Sequence, residues 1–310
     1  MGHKAITFRR RAAAAVSFRR RAAEVIALLV LAGCTGDSGP AATAEPALTR
    51  RSVEVDGAQR SYRLFTPTSE DDDRPMPLVL ALHGAGNTPD SFAKSTQLDQ
   101  AASAHRFVVA YPEAERLVWN GGFCCTLGRG VPGADVRFLD RLITDVAAVR
   151  RIDTTRVFAV GVSAGGIMAY RLACDLTGRI AGIGAVAATM QVDDCQPSRP
   201  ITVVALHGTG DDLVPYEGGR VLGGALRPAL PAMTVAERWA SLDGCPASGD
   251  SRVEGIVTTT TWSGCAGGSQ VRLVTVEGGG HNWFAKDYGM PNGALDATSS
   301  VLEFLGLTKR

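Results

Sequence analysis

The segment Gly161-Val162-Ser163-Ala164-Gly165-Gly166 sets a serine among glycines. A serine hydroxyl attacks a carbonyl carbon when a base takes its proton and an acid orients that base, so the chemistry on offer is acyl transfer through a covalent intermediate. Five histidines compete for the role of base. His3 lies in the arginine-rich amino-terminal stretch, and His105 ends a helical-period segment, where a solvated or capping role suffices. His83 and His207 each precede a glycine at the end of an apolar run and read as loop-shaping residues. His281 follows Gly278-Gly279-Gly280. Where a serine sits on a strand-to-helix turn, its partners follow in the order serine, acid, histidine. His281 is the histidine that satisfies this order.

The acid belongs on a loop after a strand, between Ser163 and His281. The run Ile201–Leu206 leads into His207-Gly208-Thr209-Gly210-Asp211-Asp212 and offers two aspartates there. Gly208 and Gly210 shape a turn that can direct Asp211 inward, which favours Asp211 and leaves Asp212 as the alternative. Asp193 and Asp194 precede that strand and read as solvated loop charges.

An acyl-transfer site also needs backbone N–H donors where negative charge develops on oxygen. The stretch Leu78-Val79-Leu80-Ala81-Leu82-His83-Gly84-Ala85-Gly86-Asn87 supplies a strand and a glycine-flanked turn. The candidate donors are the amides of Ala85 and of Ala164, the residue after the serine. Trp119, Tyr216 and Trp283 are candidates to hold substrate, because aromatic faces line acyl and sugar pockets. Core packing is the competing reading for Trp119 and Tyr216. Trp283 stands two residues past His281 and is tied to it by position.

These residues need a scaffold that brings them to one edge. Residues 53–57 and 60–65 alternate about Asp56-Gly57 and predict an opening hairpin. Wholly apolar runs at 78–82, 107–111, 157–160, 183–187 and 201–206 are separated by helical-period segments near 90–104, 136–150 and 165–176. Continuous apolar strands alternating with helices predict a parallel sheet covered on both faces. A further helix is expected over 234–242, a strand over 272–276 and a last helix over 296–305. Residues 112–134 carry neither period and predict a long loop, a kind of segment that is usually functional in a compact domain.

At the amino terminus, arginine clusters at 9–11 and 19–21 precede the apolar run Val25–Leu31, which is too short to span a bilayer. Basic, apolar and small residues in that order predict an export signal over 1–33. Its end, Leu31-Ala32-Gly33-Cys34, resembles a bacterial lipobox. That resemblance implies a lipid on Cys34 and a chain anchored to the outer face of the bacterial cell membrane. Residues 34–50 are small, polar and proline-containing, as a flexible tether should be, and 51–310 are expected to form a single domain. Residues 1–33 hold seven of the 32 Lys and Arg and one of the 31 Asp and Glu, so the remainder carries a net charge of −5. It has no basic footprint for nucleic acid.

Cys34 aside, six cysteines remain, and an even number in an exported chain predicts disulfides. Cys174 with Cys195 and Cys245 with Cys265 are favoured because each pair brackets a short segment; adjacent Cys124 and Cys125 either bridge or stay reduced. No Cys-x-x-Cys with histidine partners suggests a metal site, and no cofactor is expected.

From Arg60 to the carboxyl end the chain resembles the secreted esterases grouped as polyhydroxybutyrate depolymerases and feruloyl or acetyl-xylan esterases. The matching segments are His83-Gly84-Ala85-Gly86, Trp119-Asn120 with Cys124-Cys125, Gly161–Gly166 with Tyr170–Cys174, His207–Asp211 with Val214-Pro215-Tyr216, and Gly278–Trp283. The resemblance implies an α/β-hydrolase fold and a triad of Ser163, Asp211 and His281, which sharpens the choice of Asp211. It implies hydrolysis of small or oligomeric feruloyl, acetyl or hydroxyalkanoate esters. Ala85 stands where many relatives carry Cys, a change a backbone donor tolerates; Phe284 stands where relatives often have Pro, which alters the loop after Trp283. The rival readings are a catalytically idle lipoprotein that binds glycan or another ligand in the same cleft, and an acyltransferase or peptidase.

Overall fold

Asp56 and Gly57 join β1 (Ala47–Val55) to β2 (Ala58–Thr66), and both take left-handed backbone, with φ of 53° and 77°. Two successive positive φ values give a two-residue turn the twist a hairpin needs. The computed structural model describes residues 47–68, 74–123, 131–222, 225–285 and 295–308. The chain divides into two units, Met1–Ala42 and Thr43–Arg310, and all described residues belong to the second. The expected signal over 1–33, Cys34, the tether up to residue 46, Cys124 and Cys125 lie outside the described residues. Residues 47–50, expected to be tether, instead pair with 63–66 as the start of β1. Residues 48–50 are exposed, so the pairing is carried by backbone hydrogen bonds and leaves no apolar alternation to read.

The remaining strands are β3 (Met76–Leu82), β4 (Val108–Pro112), β5 (Ile152–Val162), β6 (Ile180–Val186), β7 (Thr202–Gly208), β8 (Asp250–Glu254), β9 (Val257–Trp262) and β10 (Val271–Val276). They form one sheet in the order β1-β2-β4-β3-β5-β6-β7-β10-β9-β8. The six strands from β4 to β10 in that order run parallel, and antiparallel pairs close each edge. The β8–β9 hairpin was not expected from the sequence: every residue of β8 is exposed and β9 is a run of threonines.

Every residue of β3 and β4 is buried, which is why their sequences are continuously apolar. Leu78, Leu80 and Leu82 face one core with α3 (Ala134–Val149), α4 (Ala164–Asp175) and α5 (Ala232–Leu242). Val79 and Ala81 face a second core with α1 (Pro89–Thr96), α2 (Leu98–His105) and α6 (Ala297–Phe304). Truncating a buried leucine such as Leu80 to alanine costs about 2–5 kcal/mol. The helical stretch expected near 90–104 is broken in two at Gln97, whose φ is 53°.

Disulfides join Cys174 to Cys195 and Cys245 to Cys265, the two favoured pairings. Each closes a loop of about twenty residues, a constraint worth roughly 3 kcal/mol in chain entropy. Among the described residues no helix is long and apolar enough to cross a membrane, and no cluster of side chains could hold a metal ion.

Candidate active site

β5 ends at Val162 and α4 begins at Ala164, leaving Ser163 alone to turn the chain at φ 55°, ψ −124°. Residues with side chains rarely adopt such backbone, and it persists only where the surroundings enforce it. The Ser163 N–H donates to Val186 O at 2.9 Å, and the Ile167 N–H donates to Ser163 O at 2.9 Å. Packing explains the flanking glycines. A Cβ on Gly161 would lie 2.4 Å from the Gly165 carbonyl carbon, and one on Gly165 would lie 2.0 Å from the Leu82 carbonyl oxygen. With no Cβ in either place, α4 starts against the ends of β3 and β5, and its unpaired first-turn amides face the serine.

Asp211 lies in the turn after β7. Its carboxylate accepts from the His281 Nδ1–H at 2.8 Å and from the Leu213 and Val214 amides at 2.9 and 2.8 Å. His207 Nε2 lies 2.8 Å from Val214 O and 3.2 Å from Asp211 Oδ2, so that nitrogen carries the proton and donates to both. Burial alone would raise the Asp211 pKa. The hydrogen bonds from His207, His281 and Val214 outweigh it and hold the carboxyl well below the usual carboxylate range. Asp211 is therefore an anion that fixes His281 with Nδ1 protonated and Nε2 available as acceptor. Asp212 is exposed, and Asp193 pairs with Arg227 at the surface.

The turn after β3 passes beside the serine: a Cβ on Gly84 would be 3.6 Å from Ser163 Cβ. The Gly86 N–H is committed to Leu117 O at 2.9 Å and the Asn87 N–H to Gly84 O at 3.1 Å. These bonds order the turn around the Ala85 amide and tie it to the loop at 115–117. His83 is fully buried beneath it. The Ala114 N–H donates to His83 Nε2 at 3.2 Å, so Nδ1 carries the proton and donates to Gly84 O at 2.8 Å. Burial lowers the His83 pKa, in keeping with a neutral ring. Trp119 is buried on the far side, its Nε1–H donating to His83 O at 2.9 Å. Trp119, expected among the substrate-facing residues, thus packs against the turn and is absent from the cavity wall over Ser163.

A cavity of about 710 Å³ opens over Ser163 and His281, walled by Phe92, Leu117, Ile167, Val214, Leu222 and Trp283. Trp283 faces the cavity while its Nε1–H donates to Thr298 Oγ1 at 2.9 Å. Tyr216, expected among the substrate-facing residues, is absent from the wall; its hydroxyl meets Thr275 Oγ1 at 2.8 Å and its ring packs edge-on against His207. Phe284 is fully buried at φ 53°, a backbone that proline cannot adopt. Sequence reasoning missed the contributions of Arg116, Leu117, Leu213 and Leu222 to the cavity. Loop residues carry no periodic signal, and only the adjacency of Leu213 to Asp211 could have pointed to one of them.

A parallel sheet with a strained serine after one strand, and an acid and a histidine after two later ones, defines an α/β-hydrolase. Residues 60–243 match the family described as Esterase PHB depolymerase, and the chain belongs to that family. It is 30% identical over 258 residues to Putative esterase NocK of Nocardia uniformis subsp. tsuyamanensis, covering 77% of this chain and 75% of that one. It is 27% identical over 244 residues to Feruloyl esterase B of Piromyces equi, covering 73% of this chain but 44% of that longer protein. The acetyl xylan esterase structure from Aspergillus awamori shares the fold with a TM-score of 0.60 at 13% identity, over 84% of this chain and 100% of that one.

Proposed function

We propose that the protein is a serine-dependent carboxylic ester hydrolase acting on small or oligomeric feruloyl, acetyl or hydroxyalkanoate esters. The observation that carries this reading is the 2.8 Å hydrogen bond from His281 to the buried Asp211 carboxylate, with His281 and Ser163 opening onto one cavity. In this mechanism His281 Nε2 takes the Ser163 proton as Oγ attacks the ester carbonyl carbon, and Asp211 stabilises the imidazolium. The Ala85 and Ala164 amides hold the oxyanion. His281 returns the proton to the departing alcohol, and water then releases the acid by the same steps in reverse. The apolar wall suits an acyl chain or aromatic ring, and Trp283 offers it a face.

The experiment is hydrolysis of short 4-nitrophenyl esters and labelling by a fluorophosphonate probe. Both are expected in the native enzyme and neither in Ser163→Ala; unchanged turnover in that variant defeats the reading. A panel of feruloyl, acetyl-xylan and hydroxybutyrate-oligomer esters then assigns the substrate.

Export and anchoring form the second part of the proposal. Two disulfides suit an oxidising compartment, and Leu31-Ala32-Gly33-Cys34 has the pattern of a lipid-attachment signal. Residues 51–310, with the strand residues 47–50, would then be displayed on a tether at the cell surface. Cys34→Ser should release the protein from the membrane fraction and abolish labelling by a fatty-acid analogue.

A further inference from the structure

Arg116 is the one cation on a cavity wall that carries no carboxylate among the described residues. Arg116 is exposed at the rim of that wall and has no hydrogen-bond or ion-pair partner among the described residues. The neighbouring Glu115 is exposed and off the wall. Arg116 and Leu117 both take left-handed backbone, at φ 53° and 59°, and both residues line the cavity. Leu117 O accepts from the Gly86 N–H at 2.9 Å, so the segment bearing Arg116 is fastened to the turn beside Ser163. A guanidinium at the exposed rim of an apolar cavity whose described wall carries no carboxylate is matched by a carboxylate on the ligand, which it can grip with two parallel N–H donors.

We infer that Arg116 is a specificity-determining residue that selects esters bearing a free carboxylate on one side of the scissile bond. This rests on the ester-hydrolase reading, which hydrolysis of the uncharged esters below tests by itself.

The experiment compares kcat/KM within two substrate pairs: 4-nitrophenyl pentanoate with mono-4-nitrophenyl glutarate for the acyl side, and phenyl butyrate with 4-carboxyphenyl butyrate for the alcohol side. In at least one pair the native enzyme is expected to favour the charged member by about tenfold relative to Arg116→Gln, mainly through KM. Arg116→Lys should keep part of that preference, and raising salt from 0.05 to 0.5 M, roughly a threefold shorter screening length, should erode it in the native enzyme. A charged-to-uncharged ratio that is the same in native enzyme and Arg116→Gln for both pairs, or one insensitive to salt, overturns the inference. Failure of the native enzyme on charged and uncharged esters alike defeats the hydrolase reading instead.

Discussion

His207 Nε2 lies 3.2 Å from Asp211 Oδ2, the same oxygen that His281 Nδ1 approaches at 2.8 Å. The carboxylate is thus held between two imidazoles, one buried in the turn and one facing the cavity. His207 touches no reacting atom, so it is a positioning residue. His207→Leu should lower kcat ten- to a hundredfold with little change in KM and cost about 1–3 kcal/mol of stability. His207→Gln, which can still donate, should recover part of kcat. Initial-rate kinetics and urea unfolding on both variants check this, and a native kcat in His207→Leu would dismiss the role.

The two adjacent aspartates should separate sharply. Asp211→Asn removes the anion that fixes the His281 tautomer, and kcat should fall roughly 10³- to 10⁴-fold. Asp212→Asn, at an exposed position, should stay within about twofold of the native rate. Steady-state rates on one 4-nitrophenyl ester decide between them.

Gly165→Ala should prevent normal folding or cost more than about 4 kcal/mol, since its Cβ would sit 2.0 Å from a backbone oxygen that cannot move away alone. Gly178→Ala is the control. Its Cβ meets nothing within 4 Å, and reduced freedom of the unfolded chain should leave stability unchanged or raised by up to about 1 kcal/mol. Soluble yield and melting temperature report on both.

His83 predicts a pH dependence of stability. Its pKa is lowered in the folded state, so the unfolded chain takes up a proton below about pH 6.5 while the native ring resists. Its contribution is complete above that pH and is lost as pH falls toward the folded pKa, at no more than about 1.4 kcal/mol per pH unit. His83→Asn lacks this loss. The gap in unfolding free energy between native protein and variant should therefore narrow between pH 7 and pH 5.5 in urea titrations; a constant gap would exclude the assignment.

The parallel core was legible because β3, β4, β6, β7 and the second half of β5 are buried on both faces and must be continuously apolar there. Ser163 was legible because a sharp turn under a helix demands glycines on both sides, and these mark the sequence. The edge strands β1 and β8 were less so. Their exposed residues answer to backbone pairing, which imposes little side-chain pattern. Trp119 and Tyr216 illustrate a second limit. Both were candidates by residue type, with core packing as the rival reading, and an indole beneath His83 and a phenol against Thr275 are placed by packing that residue type does not reveal. The cavity wall at Arg116 and Leu117 depends on backbone taken at φ values that neither residue type advertises.

The Asp211–His281 bond spans seventy residues and depends on β10, which is seated between β7 and β9. Ser163 and Asp211 both fall inside the family-matched segment, whereas His281 lies beyond it. The proposed base and the cavity residue Trp283 thus both come from chain beyond the segment that bears Ser163 and Asp211. In the proposed mechanism the base meets its acid only where the six-residue strand β10 docks beside β7.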